Sequence, residues 1–128
     1  MLGMLGVLPP GRIDERAMEK TLEKVIGEWQ YETLWGWDFA VMAMTAARLH
    51  KPDLAVDCLL KETPKNDYVK SGNNRQKTRR DLPLYLPGNG SLLLAVALMA
   101  AGSSSDSESG YGFPDSWEVI CENINQYV

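Results

Sequence analysis

Residues 82–102, which read LPLYLPGNGSLLLAVALMAAG, constrain the fold more than any other part of the chain. Within them, residues 92–101 are apolar around the whole circumference of a predicted helix. A helix without a polar side must be surrounded by other protein. Because ten residues are too few to cross a bilayer, the sequence predicts a core helix and no membrane partner. The prolines and glycines that precede this helix predict a loop.

Two further segments predict helices. In residues 13–29 apolar side chains recur at helical spacing, and Asp14 lies where an N-cap residue is favoured. The predicted apolar face consists of Ile13, Ala17, Thr21 or Leu22, Val25 and Trp29. Residues 35–49 (WGWDFAVMAMTAARL) are nearly all small or apolar, which predicts burial on most sides. Pro52 can then take the first position of a helix over 52–60, and the short connection predicts an antiparallel hairpin.

Positive charge is concentrated in residues 62–81, which show no apolar periodicity. With Lys61 this segment carries seven Lys or Arg and three Asp or Glu, a balance of +4, so the rest of the chain balances to −8. We expect a long basic loop over 62–81 and an exposed Ser/Gly-rich loop over 103–114. Residues 117–121 predict a short C-terminal strand, with a helical turn as the alternative.

Length and composition favour one domain without a cofactor. The chain has 128 residues and a net charge of −4, which gives no reason to expect a nucleic-acid partner. His50 alone cannot supply a multi-histidine zinc site, and Cys58 and Cys121 are not spaced as metal ligands. We therefore expect neither a metal nor an organic cofactor. The apolar residues 1–11 lack the pattern of a signal peptide and are typical of a helix end followed by two prolines.

Three predicted helices need cover, over residues 1–8, 37–49 and 92–101. The few helices predicted in this chain cannot surround two of these three helices on all sides. We therefore expect their apolar faces to be covered by the remainder of a helical barrel, of which this chain of 128 residues is one partial domain, or by self-association. We favour the barrel, because the chain begins in what the pattern indicates is the middle of a helix.

Taken in order, the motifs WGWDF, AARL, PDLAVDCLL and LYLPGNG resemble the C-terminal part of an (α/α)6-barrel, or six-hairpin, glycoside hydrolase. The similarity is strongest to the α-L-fucosidase type and its uncharacterised relatives, and it extends to residue 122. It implies an all-α fold of antiparallel helical hairpins forming part of such a barrel. It also implies an oligosaccharide or glycan partner and acid–base hydrolysis of a glycosidic bond. The cellular location stays open, although full-length enzymes of this type are often exported.

The chain departs from this family at the general base. The corresponding family loop commonly reads Ile-Asp-Gly-Asn, and its aspartate is the base, whereas this chain has Pro87 at that position. The partner acid of the family lies outside this chain. Hydrolysis needs two such groups, so the resemblance assigns no catalytic residue, and we expect no activity from this chain alone. Asp81 is one alternative base, but an ion pair with Arg79 or Arg80 is the simpler interpretation.

Five residues are expected to line the sugar site: Trp35, Trp37, Asp38, Tyr85 and Asn89. The two indole rings can stack on a pyranose, or they can be core residues at a helix start. Asp38 can bind a hydroxyl or exchange a proton, or it can serve only as a helix N-cap. Asn89 can bind a hydroxyl, or it can serve in a turn between two glycines.

A different interpretation involves no sugar. In it the chain is a non-catalytic helical protein–protein interaction module, and Pro87 belongs to a structural loop. The basic residues 75–80 can contact an acidic saccharide, or they can form a solvated loop, which is the simpler interpretation. A tetratricopeptide-like scaffold would require a repeat of constant length, and the sequence shows none.

Overall fold

The computed structural model describes residues 2–8, 13–102 and 111–125. Within these ranges the chain is predominantly helical. The α-helices are α1 (Gly3–Gly6), α2 (Glu15–Glu28), α3 (Gly36–Arg48), α4 (Pro52–Leu59) and α5 (Leu86–Ala101). A 3-10 turn, Tyr31–Thr33, precedes α3, and strands β1 (Asp67–Tyr68) and β2 (Asn74–Arg75) form an antiparallel hairpin before α5. The prediction of a helical fold is confirmed at this level.

Helix α3 lies at the centre of the fold, and α1, α2, α4 and α5 all pack on it. From Phe39 to Arg48 nearly every side chain is buried, since alanines allow close helix approach and methionines fill the remaining space. The expectation that this helix needs cover from outside the chain is wrong, because the chain's own helices cover it. Pro52 begins α4 as predicted, after a turn in which His50 has a left-handed backbone (φ 54°).

Helix α2 begins where the sequence predicts. Asp14 Oδ1 accepts a hydrogen bond from the amide of Ala17 at 3.0 Å, which satisfies one of the unpaired N–H groups of the first turn. Its buried side chains are Met18, Leu22 and Val25. The predicted apolar face is therefore wrong in part, because Ala17 is exposed and Trp29 lies past the helix end on extended backbone.

Residues 86–90 (LPGNG) form the first turn of α5, so the prediction of a loop over this motif is wrong. Pro87 is tolerated there because the amides of a helix's first turn have no partner within the helix. Gly88 is required for packing, since a Cβ at this position would collide with the side chain of Asn74. The proline and glycine of this motif therefore serve helix initiation and close packing rather than a chain reversal.

The basic segment 62–81 has a buried polar core of its own. Asn74 and Gln76 are fully buried beneath the β-hairpin. Asn74 Nδ2 donates to the carbonyl oxygens of Lys65 (3.3 Å) and Asp67 (3.2 Å), and its Oδ1 accepts from Gln76 Nε2 (3.1 Å). Sequence periodicity missed this hairpin, because it is held by polar side chains and not by an apolar face.

Asn74 also joins this hairpin to the starts of α3 and α5. Its side chain lies so close to Gly36 and Gly88 that a Cβ on either glycine would collide with it. Its backbone amide donates to Asn89 Oδ1 at 2.9 Å, and its carbonyl oxygen accepts from the amide of Tyr85 at 2.8 Å. The relative positions of three segments are therefore set at one residue.

Helix α1 is held against α3 by two polar side chains. Arg48 Nη1 donates to the carbonyl oxygens of Leu5 (2.7 Å) and Leu8, which lie where helix carbonyls lack partners. Thr45 Oγ1 would be 2.6 Å from a Cβ on Gly6, so α1 can approach this closely only with glycine there. The two prolines expected to end this helix lie outside the described residues.

The C-terminal strand predicted over 117–121 is wrong, since no strand is present in residues 111–125. The amide of Trp117 donates to the carbonyl oxygen of Pro114 at 2.9 Å, and its ring stacks on that of Phe113 with centroids 5.5 Å apart. β-Branched residues favour a strand only where a neighbouring strand offers them a surface to pack on, and this segment has none.

The Ser/Gly-rich loop predicted over 103–114 lies mostly outside the described residues, which omit 103–110. In its described part Gly112 is buried, and a Cβ there would lie 2.5 Å from Met99 at the end of α5. The chain after the loop therefore returns to contact the core helix.

Helix α5 is apolar on every side, and the residues that the structure describes cover one side of it. Ala95, Leu98 and Met99 are buried, whereas Leu86 and Leu93 are exposed, Leu93 by 71%. In the described part of the chain, no helix is both long enough and apolar enough to pass through a membrane.

The two glycines of the LPGNG motif are expected to respond oppositely to alanine. Gly88→Ala should lower the free energy of unfolding by about 1–3 kcal/mol, because the added methyl group overpacks the contact with Asn74. At Gly90 nothing lies within 4 Å of an added Cβ. Gly90→Ala should therefore raise the free energy of unfolding by about 0.5–1 kcal/mol, since alanine loses less backbone entropy than glycine on folding. Chemical denaturation followed by circular dichroism measures both. Equal effects would contradict the packing role of Gly88.

Candidate functional site

Exposed tryptophans surround Asp38 where α2 ends and α3 begins. Trp29 and Trp37 are each 43% exposed, and Trp35 is 37% exposed. Trp29 follows the last turn of α2, Trp35 is the N-cap of α3, and Trp37 lies in the first turn of α3. Grouped large aromatic side chains at a surface are typical of a binding site, because burying them in the core would otherwise be favourable.

Two clefts meet at Asp38. The first cleft, of ≈ 390 Å³, is mainly apolar, and its lining includes Trp29, Trp37 and the two residues that flank α1, Leu2 and Val7. The second cleft, of ≈ 490 Å³, is more open and is lined by Trp29, Trp35 and polar residues around the 3-10 turn. Asp38 and Trp29 line both clefts, so a ligand in either one lies beside a carboxyl group and an indole ring.

Asp38 is positioned by the backbone that it caps. Its Oδ2 accepts a hydrogen bond from the amide of Trp35 at 2.8 Å, so it caps α3 from the third helical position and not from the N-cap. Burial raises the pKa of the Asp38 carboxyl above its ordinary value of 3.8, and this hydrogen bond opposes the shift. Because no other donor among the described residues bonds this carboxyl, Oδ1 can accept from a ligand hydroxyl or exchange a proton.

The structure brings Trp35 and Tyr85 together, but in contact with each other. Their rings stack with centroids 5.4 Å apart. Lys65 Nζ lies 5.2 Å from the centre of the Trp35 ring, and the guanidinium carbon of Arg79 lies 5.9 Å from it. The ring of Trp35 therefore already has an aromatic and two cationic neighbours. Trp29 and Trp37 are the more accessible platforms for a sugar.

Asn89 uses its side-chain amide to hold the hairpin. Its Oδ1 accepts from the amide of Asn74, and its Nδ2 donates to the carbonyl oxygen of Gly72 at 2.7 Å. Asn89 and Tyr85 line neither of the two clefts. Tyr85 nevertheless lies near Asp38, since burial and then the charge of Asp38 raise the pKa of the Tyr85 hydroxyl. Pro87, at the family's general-base position, also lines neither cleft.

The ion pair expected for Asp81 is present. Arg79 Nη2 lies 2.6 Å from Asp81 Oδ2, and the hydrogen bond from Arg79 lowers the pKa of the Asp81 carboxyl to about 2. A carboxylate with such a low pKa is a weak general base. The geometry therefore favours the ion-pair interpretation over a displaced base.

Sequence periodicity missed Trp29, which it assigned to the buried face of α2. The helix ends at Glu28, so the backbone turns before Trp29 and carries the indole ring out to the clefts. The sequence signal for this helix end is Gly27, because glycine lowers the stability of a helical backbone.

The described residues form no cluster suited to a metal ion, and the thiol of Cys58 is not poised to react. In those ranges no three His, Cys, Asp or Glu side chains are grouped to hold a metal ion. The Cys58 thiol is buried, and burial raises its pKa to about 11, so it is protonated and unreactive at neutral pH.

Comparison of the chain with protein-family models, with curated proteins and with solved structures found no match. The resemblance to (α/α)6-barrel glycoside hydrolases rests on the order of the four motifs.

Asp38 is expected to titrate above pH 3.8 in the folded protein, because burial disfavours its charged form. Its contribution to stability is therefore present below pH 3.8 and is lost as the pH rises through the higher folded pKa. Asp38→Asn keeps an acceptor for the Trp35 amide but does not ionise, so it should remove this decrease of stability with rising pH. Carboxyl carbon chemical shifts, followed by NMR during an acid titration, give the folded pKa directly. A midpoint at or below 3.8 would contradict the assigned desolvation.

Proposed function

We propose that the chain is a carbohydrate-binding sector of a fucosidase-like (α/α)6-barrel glycoside hydrolase, with an oligosaccharide bound at Asp38. One observation carries the proposal: the partly buried carboxyl group of Asp38, one oxygen of which has no donor among the described residues, lines the same cleft as the exposed rings of Trp29 and Trp37. A pyranose presents an apolar face of CH groups and a rim of hydroxyls. Indole rings match the face, and a carboxylate oxygen accepts from a hydroxyl.

The motif that carries the resemblance also supports this proposal. Trp35, Trp37 and Asp38 all belong to WGWDF, which forms the N-cap and first turn of α3. Residues at a helix start project to different sides of the chain, so one short motif supplies both clefts. The motif and the site geometry therefore point to the same place on the molecule.

The proposed reaction needs a second group from outside this chain. Acid–base hydrolysis of a glycosidic bond uses two groups that flank the bond. Asp38, whose pKa is raised, is suited to retain and donate a proton. This assignment differs from that of the family, in which the acid lies outside this chain and the base occupies the position of Pro87. Because Pro87 has no ionisable group, we place the activating base on helices that complete the barrel. By itself the chain is expected to bind sugar without cleaving it.

Trp37→Ala is expected to weaken the binding of a neutral galacto-oligosaccharide about tenfold, which corresponds to about 1.4 kcal/mol. The matched control is Trp117→Ala, because Trp117 is similarly exposed but stacks on Phe113 and lines neither cleft. Isothermal titration calorimetry measures both dissociation constants. The absence of any sugar binding by the unaltered chain, or equal losses in the two variants, would contradict the proposed site.

A second candidate function, a helical interaction module, is favoured by the uncovered side of α5. Leu86, Leu93 and Val96 are exposed there, and Gly90 and Ala97 lie between them in the helical repeat. Large side chains flanking small ones allow another helix to approach and interlock. In this alternative the occupant is the same face of a second copy of the chain, whereas in the barrel it is a neighbouring hairpin.

If this alternative holds, the chain forms a dimer that Leu93→Glu converts to a monomer, because a charge at the centre of the apolar contact is costly to bury. Leu60→Glu is the control, since Leu60 is equally exposed but lies at the end of α4. Sedimentation velocity measures the oligomeric state. A monomer at the highest soluble concentration would contradict the module and leave this face for the barrel.

A further inference from the structure

Lys65 is a feature that the proposed function leaves unexplained. The residue is only 7% exposed, and no carboxylate among the described residues forms an ion pair with its ammonium group. The aliphatic stem of Lys65 accounts for this burial, while its ammonium group reaches the surface, where an anion can approach it. Its contact with the ring of Trp35, at 5.2 Å from the centroid, is attractive but does not neutralise it. The ammonium of Lys65 therefore has no carboxylate counter-charge in residues 2–8, 13–102 and 111–125.

The surroundings of Lys65 contain more cations than carboxylates. A cleft of ≈ 490 Å³, here called the basic cleft, lies on the same segment. Its charged lining residues are Arg75, Lys77, Arg79 and Arg80. Asp67 is shared by two of them, at 2.7 Å from each, and Asp81 pairs with Arg79. Arg80 has no ion pair among the described residues. Positive charge therefore remains in excess on this surface.

Trp35 joins the basic cleft to the second cleft. Its indole ring lines the second cleft beside Asp38. The guanidinium of Arg79, which lines the basic cleft, lies 5.9 Å from the centre of the same ring. An oligosaccharide bound at Asp38 that extends across Trp35 therefore meets the charges of Lys65 and Arg79.

We infer that Lys65 and Arg79 form an anion subsite on Trp35, and that the oligosaccharide is acidic, with a carboxylate or sulfate on a sugar that neighbours the one at Asp38. This inference rests on the proposed function. Asp81 accepts from Nε and Nη2 of Arg79, so an oxyanion meets the guanidinium at Nη1, and the ammonium of Lys65 supplies a second positive charge on the same indole ring.

The distribution of charge along the chain supports this subsite. Residues 61–81 balance to +4, whereas the remaining residues balance to −8. An acidic molecule repels an anionic ligand unless one surface carries local positive charge that draws the ligand to it. The basic segment supplies that surface next to the proposed sugar site.

The test compares one oligosaccharide in charged and uncharged forms. Tetragalacturonate and its fully methyl-esterified form have the same length and linkage, and only the first carries carboxylates. A sulfated galacto-oligosaccharide of the same length distinguishes sulfate from carboxylate as the anion. Calorimetry on the full chain is expected to give an affinity at least tenfold higher for one anionic form than for the ester. Added salt should reduce this difference, because it screens charge.

Variants assign the effect to the subsite. Lys65→Met keeps the length of the buried stem and is expected to remove the preference for the anion while leaving binding of the ester within twofold. Arg79→Gln changes an exposed side chain, so it tests the same subsite without altering the core. Lys70→Met is the control, because Lys70 is exposed in the same segment and lines none of the clefts described above.

Each other outcome has a distinct meaning. Equal affinity for the charged and esterified forms would overturn the acidic ligand and leave the proposed sugar site standing. No binding of any form would overturn both. A preference for the anion that survives both Lys65→Met and Arg79→Gln would overturn the assignment of the subsite to these residues.

Discussion

The buried side chain of Asn74 is the interaction on which the rest of the structure depends. It occupies the junction where Gly36 of α3 and Gly88 of α5 come together, and it is held by hydrogen bonds within the β-hairpin. A polar side chain in such a position is stabilising only when its hydrogen bonds are made, and each of its amide atoms has a partner. The starts of two core helices and a basic hairpin are thereby held in one arrangement.

This junction explains why the candidate site and the candidate anion subsite are adjacent. The start of α3 carries Trp35 and Asp38, while the hairpin segment carries Lys65 and Arg79. Asn74 fixes the hairpin against the start of α3, where the backbone amide of Trp35 bonds the carboxyl of Asp38 and the indole ring of Trp35 lies near the two cations. Asp38 in turn both caps α3 and faces the clefts, so helix initiation and ligand chemistry share one side chain.

Local signals in the sequence predicted the helices well and their ends less well. The N-cap at Asp14, Pro52 at the start of α4 and the apolar sequence of α3 depend on residues within one or two turns, which a sequence displays directly. The prediction of a loop over the LPGNG motif was wrong because Gly88 is required by its contact with Asn74, a residue outside the helix. The hairpin was missed because its buried residues are polar and form hydrogen bonds, which leaves no apolar pattern in the sequence. The exposure of Trp29 was missed because apolar spacing does not show where the helix ends.

The sequence by itself determined that the chain is helical, that α3 must be buried and that α5 has more apolar surface than a few helices can cover. These properties follow from the composition and spacing of neighbouring residues. Only the tertiary structure decided which tryptophans reach the surface beside Asp38, that the hairpin engages the amide of Asn89, and that Lys65 has no carboxylate partner in the described part of the chain. Those outcomes depend on contacts between segments far apart in the chain, because exposure and charge pairing are set by packing and not by local spacing.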